Sequence, residues 1–248
     1  MAAPFADEGI VLRRRAFGDA DRILVILTRD HGKLSVMAKG LRRPRARNAA
    51  GMDLLARSQL QLIPGRSLAV LAQARPLGPS AGPADVVRLA CASVLAELVD
   101  ATVEEGHPEP RVYEILAEAS ARIGSATGDP RLALALAAFA LAAAGGYQPE
   151  LTVCAACGRE LENQDGSFVA ALGGVVQGQC EAGTQGLPCS AATLRVLRRM
   201  AVADEATVLR LRWSQELRDE LQTILIAHLE HHLDRPIKAA RVLAEVSV

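Results

Sequence analysis

Arg22-Ile-Leu-Val-Ile-Leu-Thr28, Asp30-His-Gly-Lys33 and Leu34-Ser-Val-Met-Ala-Lys39 form the stretch of sequence that decides the fold. The first and last of these segments are rich in β-branched and other aliphatic residues, which favour strands. The Asp and Gly residues between them are typical of a tight turn. The sequence therefore predicts a β-hairpin over residues 22–39.

Three further segments complete the predicted sheet. Ser58-Gln-Leu-Gln-Leu-Ile63 alternates polar and apolar residues, as a half-buried strand does. Ile10-Val-Leu12 precedes the hairpin, and Leu68–Gln73 follows the turn residues Pro64-Gly-Arg66. Five short strands within about 70 residues, joined by hairpin turns, predict a small closed barrel.

The chain beyond residue 83 is predicted to be mostly helical. Apolar residues recur at helical spacing up to Gly106, and similar patterns predict helices over 110–123 and 130–144. Residues 150–190 lose this periodicity, and helices return over 191–200, over 214–233 and in a short segment ending near 244. We therefore expect an α+β multidomain protein divided into residues 1–80, 81–149, 150–190 and 191–248.

Composition and charge restrict the classes of function. Aromatic residues make up only 3% of the chain, so a surface that captures nucleic acid mainly by stacking several bases is nearly excluded. The net charge is zero, but residues 1–80 carry 14 Lys and Arg against 6 Asp and Glu, a charge of +8. Residues 81–153 carry −6 and residues 154–248 carry −2. This asymmetry suggests that the first segment meets an anionic partner.

Two basic runs are the candidate phosphate contacts. The denser run lies in a segment that contains Pro44 and so cannot be a strand, and its cations are Lys39, Arg42, Arg43, Arg45 and Arg47. The second run is Arg13-Arg14-Arg15, in which strand alternation puts Arg13 and Arg15 on one face. A charge run can be merely solvated, but arginines bracketing a barrel hairpin favour phosphate contact.

The cysteines give the sharpest local signal. Cys154-Ala-Ala-Cys157-Gly158 has the spacing of a knuckle that binds one side of a tetrahedral zinc ion. The other side would use Cys180 and Cys189, because position 177, where a second C-x-x-C pair would begin, is Gln. A structural zinc on these four cysteines is the favoured interpretation. Reduced thiols without metal and a redox-active pair are the alternatives, and Cys91 is predicted to be a core residue.

No pattern of catalysis, export or membrane insertion is found. The sequence contains no phosphate-binding glycine loop and no nucleophile elbow, so we expect a protein that is not an enzyme. His228, His231 and His232 could reach a metal, but a solvated helix end is favoured for them. Residues 1–8 lack the basic start of a secretory signal, and Leu132–Gly146 is too short for a membrane span, so we expect a cytoplasmic protein.

The opening of the chain resembles the bacterial recombination mediator RecO family. The resemblance is carried by Glu8-Gly-Ile-Val-Leu-Arg13, Phe17-Gly-Asp-Ala-Asp-Arg22, His31-Gly-Lys-Leu34 and Ala38-Lys-Gly40. Weaker matches continue along the chain at Gln73-Ala-Arg75, the Cys154–Cys157 pair, Leu172-Gly-Gly174 and His231-His-Leu-Asp-Arg235. This resemblance covers essentially the whole chain and is most specific over residues 8–40.

The resemblance implies a fold and a function. The fold would be an N-terminal OB-fold β-barrel followed by an α-helical domain with a zinc-finger-like insertion. The function would be DNA repair and recombination: binding single- and double-stranded DNA, annealing complementary strands and, with RecR, helping to load RecA on DNA coated by the single-strand-binding protein SSB. Such a protein would associate with the nucleoid and use no small-molecule substrate.

Candidate binding residues follow from this implication. The expected DNA contacts are Arg13, Arg15, Arg22, Lys33, Lys39, Arg42, Arg43, Arg45 and Arg47. For the acidic SSB tail we predict Arg195, Arg198 and Arg199, which helical spacing places on one side. Three other classes of function stay open: an RNA- or ribosome-binding OB-fold module, a zinc hydrolase and a protein adaptor that does not bind DNA.

Overall fold

The computed structural model describes residues 3–46, 48–78, 85–181, 183, 185–202 and 205–246. The chain forms two compact units, Met1–Ala133 with Ile237–Val248, and Leu134–Pro236. The predicted domain boundary at 80/81 lies outside the described residues, and those at 149/150 and 190/191 stay predictions. No helix in the described ranges is both long and apolar enough to cross a membrane.

The first unit begins with the predicted barrel. Its strands are β1 (Phe5–Phe17), β2 (Asp21–Thr28), β3 (Gly32–Ala38), β4 (Arg57–Ile63) and β5 (Ala69–Pro76). They close in the order β1-β2-β3-β5-β4, and the pairs are antiparallel except for the parallel pair β3–β5. This five-stranded barrel confirms the OB-fold expectation.

Strand β1 is much longer than predicted, because it continues from Ile10-Val-Leu12 through the three arginines to Phe17. Its pairing with β2 runs to Phe17 opposite Asp21, so the hairpin ladder satisfies the backbone even where the side chains are charged and exposed. A β-bulge between Val11 and Arg13 shifts the register there.

The barrel interior is filled by alternating aliphatic side chains. Val11, Leu24, Ile26, Leu60 and Leu62 are completely buried in it. Leu41 and Met52, from the segment between β3 and β4, also belong to this core and hold that segment against the barrel.

The helices follow largely as predicted. They are α1 (Val86–Thr102), α2 (Pro110–Gly124), α3 (Pro130–Ala144), α4 (Ala191–Val202), α5 (Glu205–Leu209), α6 (Gln215–His232) and α7 (Lys238–Glu245). In the first unit α1 packs against β1, α2 and α7. In the second unit a small sheet of β6 (Gly166–Val169), β7 (Gly174–Val176) and β8 (Leu187–Cys189) has the order β7-β6-β8 and lies with α4 and α6.

Helix α6 corrects the interpretation of His228 and His232 as part of a solvated end, whereas His231 is exposed. His228 is completely buried, and its Nε2–H donates to the carbonyl oxygen of Tyr147 at 2.6 Å. The ring of His232 stacks on that of Tyr147 with 4.5 Å between centroids. His228 follows the buried Leu221 and Ile224 at helical spacing, so it continues the apolar face of the helix.

Candidate functional site

Two loops meet at one end of the barrel. The backbone N–H of Arg42 donates to the carbonyl of Ala20 at 2.9 Å, and its Nη1 donates to the carbonyl of Gly18 at 3.2 Å. The N–H of Gly40 donates to Asp21 Oδ1 at 2.7 Å. The loop 39–48 is therefore held to the β1–β2 turn through Gly40 and Arg42. We call these two loops and the last residues of β1 the cationic end.

The cationic end gathers most of the predicted DNA contacts. Exposed side chains there are those of Arg15, Lys39, Arg42, Arg43 and Arg45, and Arg22 is half-buried. Arg47 lies outside the described residues. Cations that are distant in the sequence thus come together on one surface, which favours an anionic ligand with several charges.

Arg13 and Arg14 lie further along β1. Arg14 forms an ion pair with Asp53, whereas the Arg13 side chain is 61% exposed and has Nη1 3.7 Å from Asp100 Oδ2. Arg13 and Arg15 lie on the same face, as alternation predicts, because the pairing with β2 is regular after the bulge. Arg13 is thus available at the border of the cationic end.

Lys33 lies at the contact between β3 and α1. Its Nζ donates to the carbonyl oxygen of Asp100 at 2.6 Å and to Asp100 Oδ1 at 3.1 Å, and only 15% of its side chain is exposed. These bonds tie β3 to α1 within the first unit. Sequence reasoning missed this role because the two partners are 67 positions apart.

Three cysteines come together in the second unit. The sulfur atoms of Cys154, Cys157 and Cys180 all lie within 4.8 Å of one another. The knuckle is shaped by Gly158, whose φ is +73° and whose N–H donates to the carbonyl of Cys154 at 2.8 Å. These three thiols are close enough to bind one metal ion.

Cys189, the fourth predicted ligand, is not among them. It lies in β8 opposite Gly166 and is 1% exposed, and burial raises the pKa of its thiol to about 12. Its pairing in the small sheet fixes it in a strand, which the sequence did not indicate. Cys91 is completely buried in α1, which confirms its prediction as a core residue.

Gln177 occupies the position where a second C-x-x-C pair would begin. Its Nε2 donates to the carbonyls of Glu162 and Gln164 at 3.1 and 2.8 Å, and its Oε1 accepts from the N–H of Glu162 at 3.0 Å. These hydrogen bonds therefore join Gln177 to the chain at residues 162–164. We call this arrangement the Gln177 clasp.

The thiols of the cluster differ in chemical character. Several hydrogen bonds lower the pKa of Cys157 to about 6, and the largest contribution comes from Arg159 Nε, which donates to Cys157 Sγ at 3.4 Å. The neighbouring sulfur of Cys157 raises the pKa of Cys180. Thiolates are the ligands that zinc prefers in structural sites, so the cluster fits three of its four positions.

The three arginines predicted for a peptide partner lie in different environments. Arg198 donates from Nε to the carbonyl of Leu151 at 2.7 Å and from Nη2 to the carbonyl of Leu161 at 2.9 Å. It therefore holds the segment that carries the knuckle. Arg195 and Arg199 are exposed on α4.

The barrel, the helices and the cysteine knuckle define an OB-fold protein with a zinc-finger-like insertion. The family models described as recombination protein O N terminal and C terminal match residues 1–80 and 83–241. The chain belongs to this RecO family.

Similar proteins support the same assignment along the whole chain. A protein of Symbiobacterium thermophilum named DNA repair protein RecO is 35% identical over 245 residues, 95% of each chain. Proteins of the same name from Desulforudis audaxviator and Cutibacterium acnes are 34% and 32% identical, and each alignment covers at least 96% of both chains.

Proposed function

We propose that this protein is a DNA repair and recombination mediator that holds single- and double-stranded DNA at its cationic end. The observation that carries the proposal is the bonding of Gly40 and Arg42 to the β1–β2 turn, so that exposed cations from two segments of the chain lie at the same end of the barrel. Each cation that neutralises a phosphate releases counterions, so such a surface binds DNA of any sequence. Membership of the RecO family supports the same role.

Annealing of complementary strands is part of the proposal. A protein that grips phosphates leaves the base edges free to pair, and its positive charge reduces the repulsion between two strands. The experiment is an annealing assay on complementary strands coated with SSB. Annealing faster than the spontaneous reaction is expected, and an unchanged rate would contradict this part.

The proposed partners are RecR, SSB and, indirectly, RecA, and the proposed place of action is the nucleoid. Arg195 and Arg199 remain the candidates for the SSB tail, because Arg198 is engaged with backbone carbonyls. Replacing Arg195 and Arg199 by Ala should weaken binding of an SSB tail peptide, and unchanged affinity would remove these candidates. We propose binding and positioning of DNA, without bond-breaking chemistry.

Salt dependence tests the cationic end directly. Replacing Arg43 and Arg45 by Ala removes two exposed cations, so the slope of log affinity against log salt should fall by about 1.4 on single strands and about 1.8 on duplex. The control replaces Arg66 and Arg111, which are exposed outside the cationic end. Equal slopes for parent, variant and control would contradict DNA binding at this end.

We also propose a structural zinc ion held by Cys154, Cys157 and Cys180. When bound, it would supply a cross-link between the knuckle and the 3₁₀ turn that carries Cys180. Elemental analysis should find about one zinc per chain, lost in Cys157→Ser and kept in Cys189→Ser. Purified protein with no zinc and three freely reacting thiols at the cluster would contradict it.

A further inference from the structure

One aromatic side chain stands out at the cationic end. Phe17 is the last residue of β1, and its side chain is 47% exposed. The other phenylalanine of the barrel, Phe5, packs instead against the barrel core and lies 4.3 Å, centroid to centroid, from the ring of His31. An exposed ring among cations has a different environment from a core residue.

The backbone around Phe17 is held in place from two sides. Phe17 pairs with Asp21 across the hairpin, and Gly18 turns the chain with a φ of +54°. The carbonyl of Gly18 accepts from Arg42 Nη1, so the residue after the ring is fixed to the loop 39–48. A ring on such an anchored turn loses little conformational freedom when it binds a ligand.

Two arginines precede Phe17 on the same strand face. Beyond the bulge, strand alternation puts Arg13, Arg15 and Phe17 on the same face of β1. Successive members of this row are two residues apart, or about 6.5 Å along the strand. The arginines suit phosphates and the ring suits a flat apolar surface, and an unpaired nucleotide presents both.

We propose that Phe17 stacks on an unpaired nucleobase while the neighbouring arginines hold the phosphates on either side. This inference rests on the proposed function and adds a preference for single strands. Every base has a π-face, so a stacking ring does not select sequence, but in a duplex the bases are already stacked on one another. A single ring captures one base and leaves the rest of the strand free to pair.

The test compares Phe17→Ala with the parent on three probes at one salt concentration: a thymidine 20-mer, an abasic oligomer of the same length and a duplex. The alanine variant should bind the 20-mer about five- to hundredfold more weakly, the range for one stacked base. Its affinity for the abasic oligomer and the duplex should not change. Phe17→Tyr should keep the parent's affinity for all three.

Ile63→Ala is the matched control, because Ile63 is an apolar residue of the barrel that is 42% exposed at the end of β4, where it pairs with Val70. It should bind all three probes as the parent does. In a second readout, Phe17→Trp should show fluorescence quenching by the 20-mer beyond that of Trp213 in the parent.

Unchanged binding of the 20-mer by Phe17→Ala, or an equal loss on the abasic oligomer, would overturn the inference and leave the proposed function intact. A parent that binds none of the three probes would overturn the proposed function and this inference together.

Discussion

Arg88 shows how one half-buried cation can bond the carbonyls at the end of a helix distant in the sequence. Its guanidinium donates to the carbonyls of Ile123 and Ser125 at 2.7 and 2.5 Å, and to that of Gly128 at 2.9 Å. The final carbonyls of a helix have no partners within that helix, so Arg88 of α1 caps the end of α2.

We expect Arg88→Ala to lower the free energy of unfolding by about 2–3 kcal/mol, because several partly buried carbonyls lose a charged donor. Arg88→Lys should restore only part of the lost stability, because lysine keeps the positive charge but lacks the planar fork of the guanidinium group. Urea denaturation measures both. The control Arg111→Ala removes a side chain that is 71% exposed and should cost less than about 0.5 kcal/mol. Equal costs for Arg88→Ala and the control would refute the capping role.

His228 should make the stability of the protein depend on pH. Burial lowers the pKa of His228, and the groups facing it are the carbonyl of Tyr147, the Phe168 ring and the side chains of His231 and His232. Below about pH 6.5 the unfolded chain takes up a proton that the folded protein resists. The free energy of unfolding should therefore fall as the pH drops from 7 to 5.

Urea titrations across this range test the prediction. His228→Gln should be less stable at every pH, but its stability should depend less on pH than that of the parent. His107→Gln, which changes a histidine with a 72% exposed side chain, should keep the parent's dependence. If His228→Gln retains the full slope, the dependence comes from other groups.

Among the elements, those with local end signals were predictable. Helix α3 begins and ends where expected, because Pro130 suits a first turn and Gly145-Gly146 follow its last residue. The β2–β3 hairpin is likewise set by its turn residues. The small sheet of the second unit was not predictable, since strands of three or four residues are too short to show a period.

The candidate site was predictable only where its members are near in sequence. The arginine loop and the cysteine pair were visible as runs, and the structure brings Cys180 to that pair. The separation of Cys189 from the other three cysteines depends on strand pairing, and the bonding of Lys33 to Asp100 depends on a partner 67 positions away. No local pattern carries that information.

In the first unit as a whole, long-range polar contacts fasten the barrel to the helices. Besides the Lys33–Asp100 bonds, the Tyr113 hydroxyl of α2 donates to Glu8 Oε1 at 2.6 Å, and Arg57 also pairs with Glu8. Burial alone would raise the pKa of Glu8, but the hydrogen bonds from Arg57 and Tyr113 lower it overall. The folded state therefore favours the carboxylate form of Glu8.

Lys33→Met should separate the two roles considered for this residue. We expect it to lower the free energy of unfolding by about 1–2 kcal/mol, because Asp100 loses a partly buried donor and keeps the more distant Arg13 at 3.7 Å. The salt slope of DNA binding should stay that of the parent. A slope smaller by about 0.7 on single strands would instead make Lys33 a phosphate contact.

The Gln177 clasp has a consequence for how the protein would respond to a shortage of zinc in the cell. Many small zinc modules stay unfolded until they bind the ion, so the amount of folded protein depends on the zinc supply. Here an amide side chain already draws the segment together, and Arg198 anchors it to α4. If the segment binds zinc as proposed above, loss of the ion would leave it folded with the exposed thiol of Cys157 open to oxidants, so that the hazard of scarcity is chemical damage and not degradation.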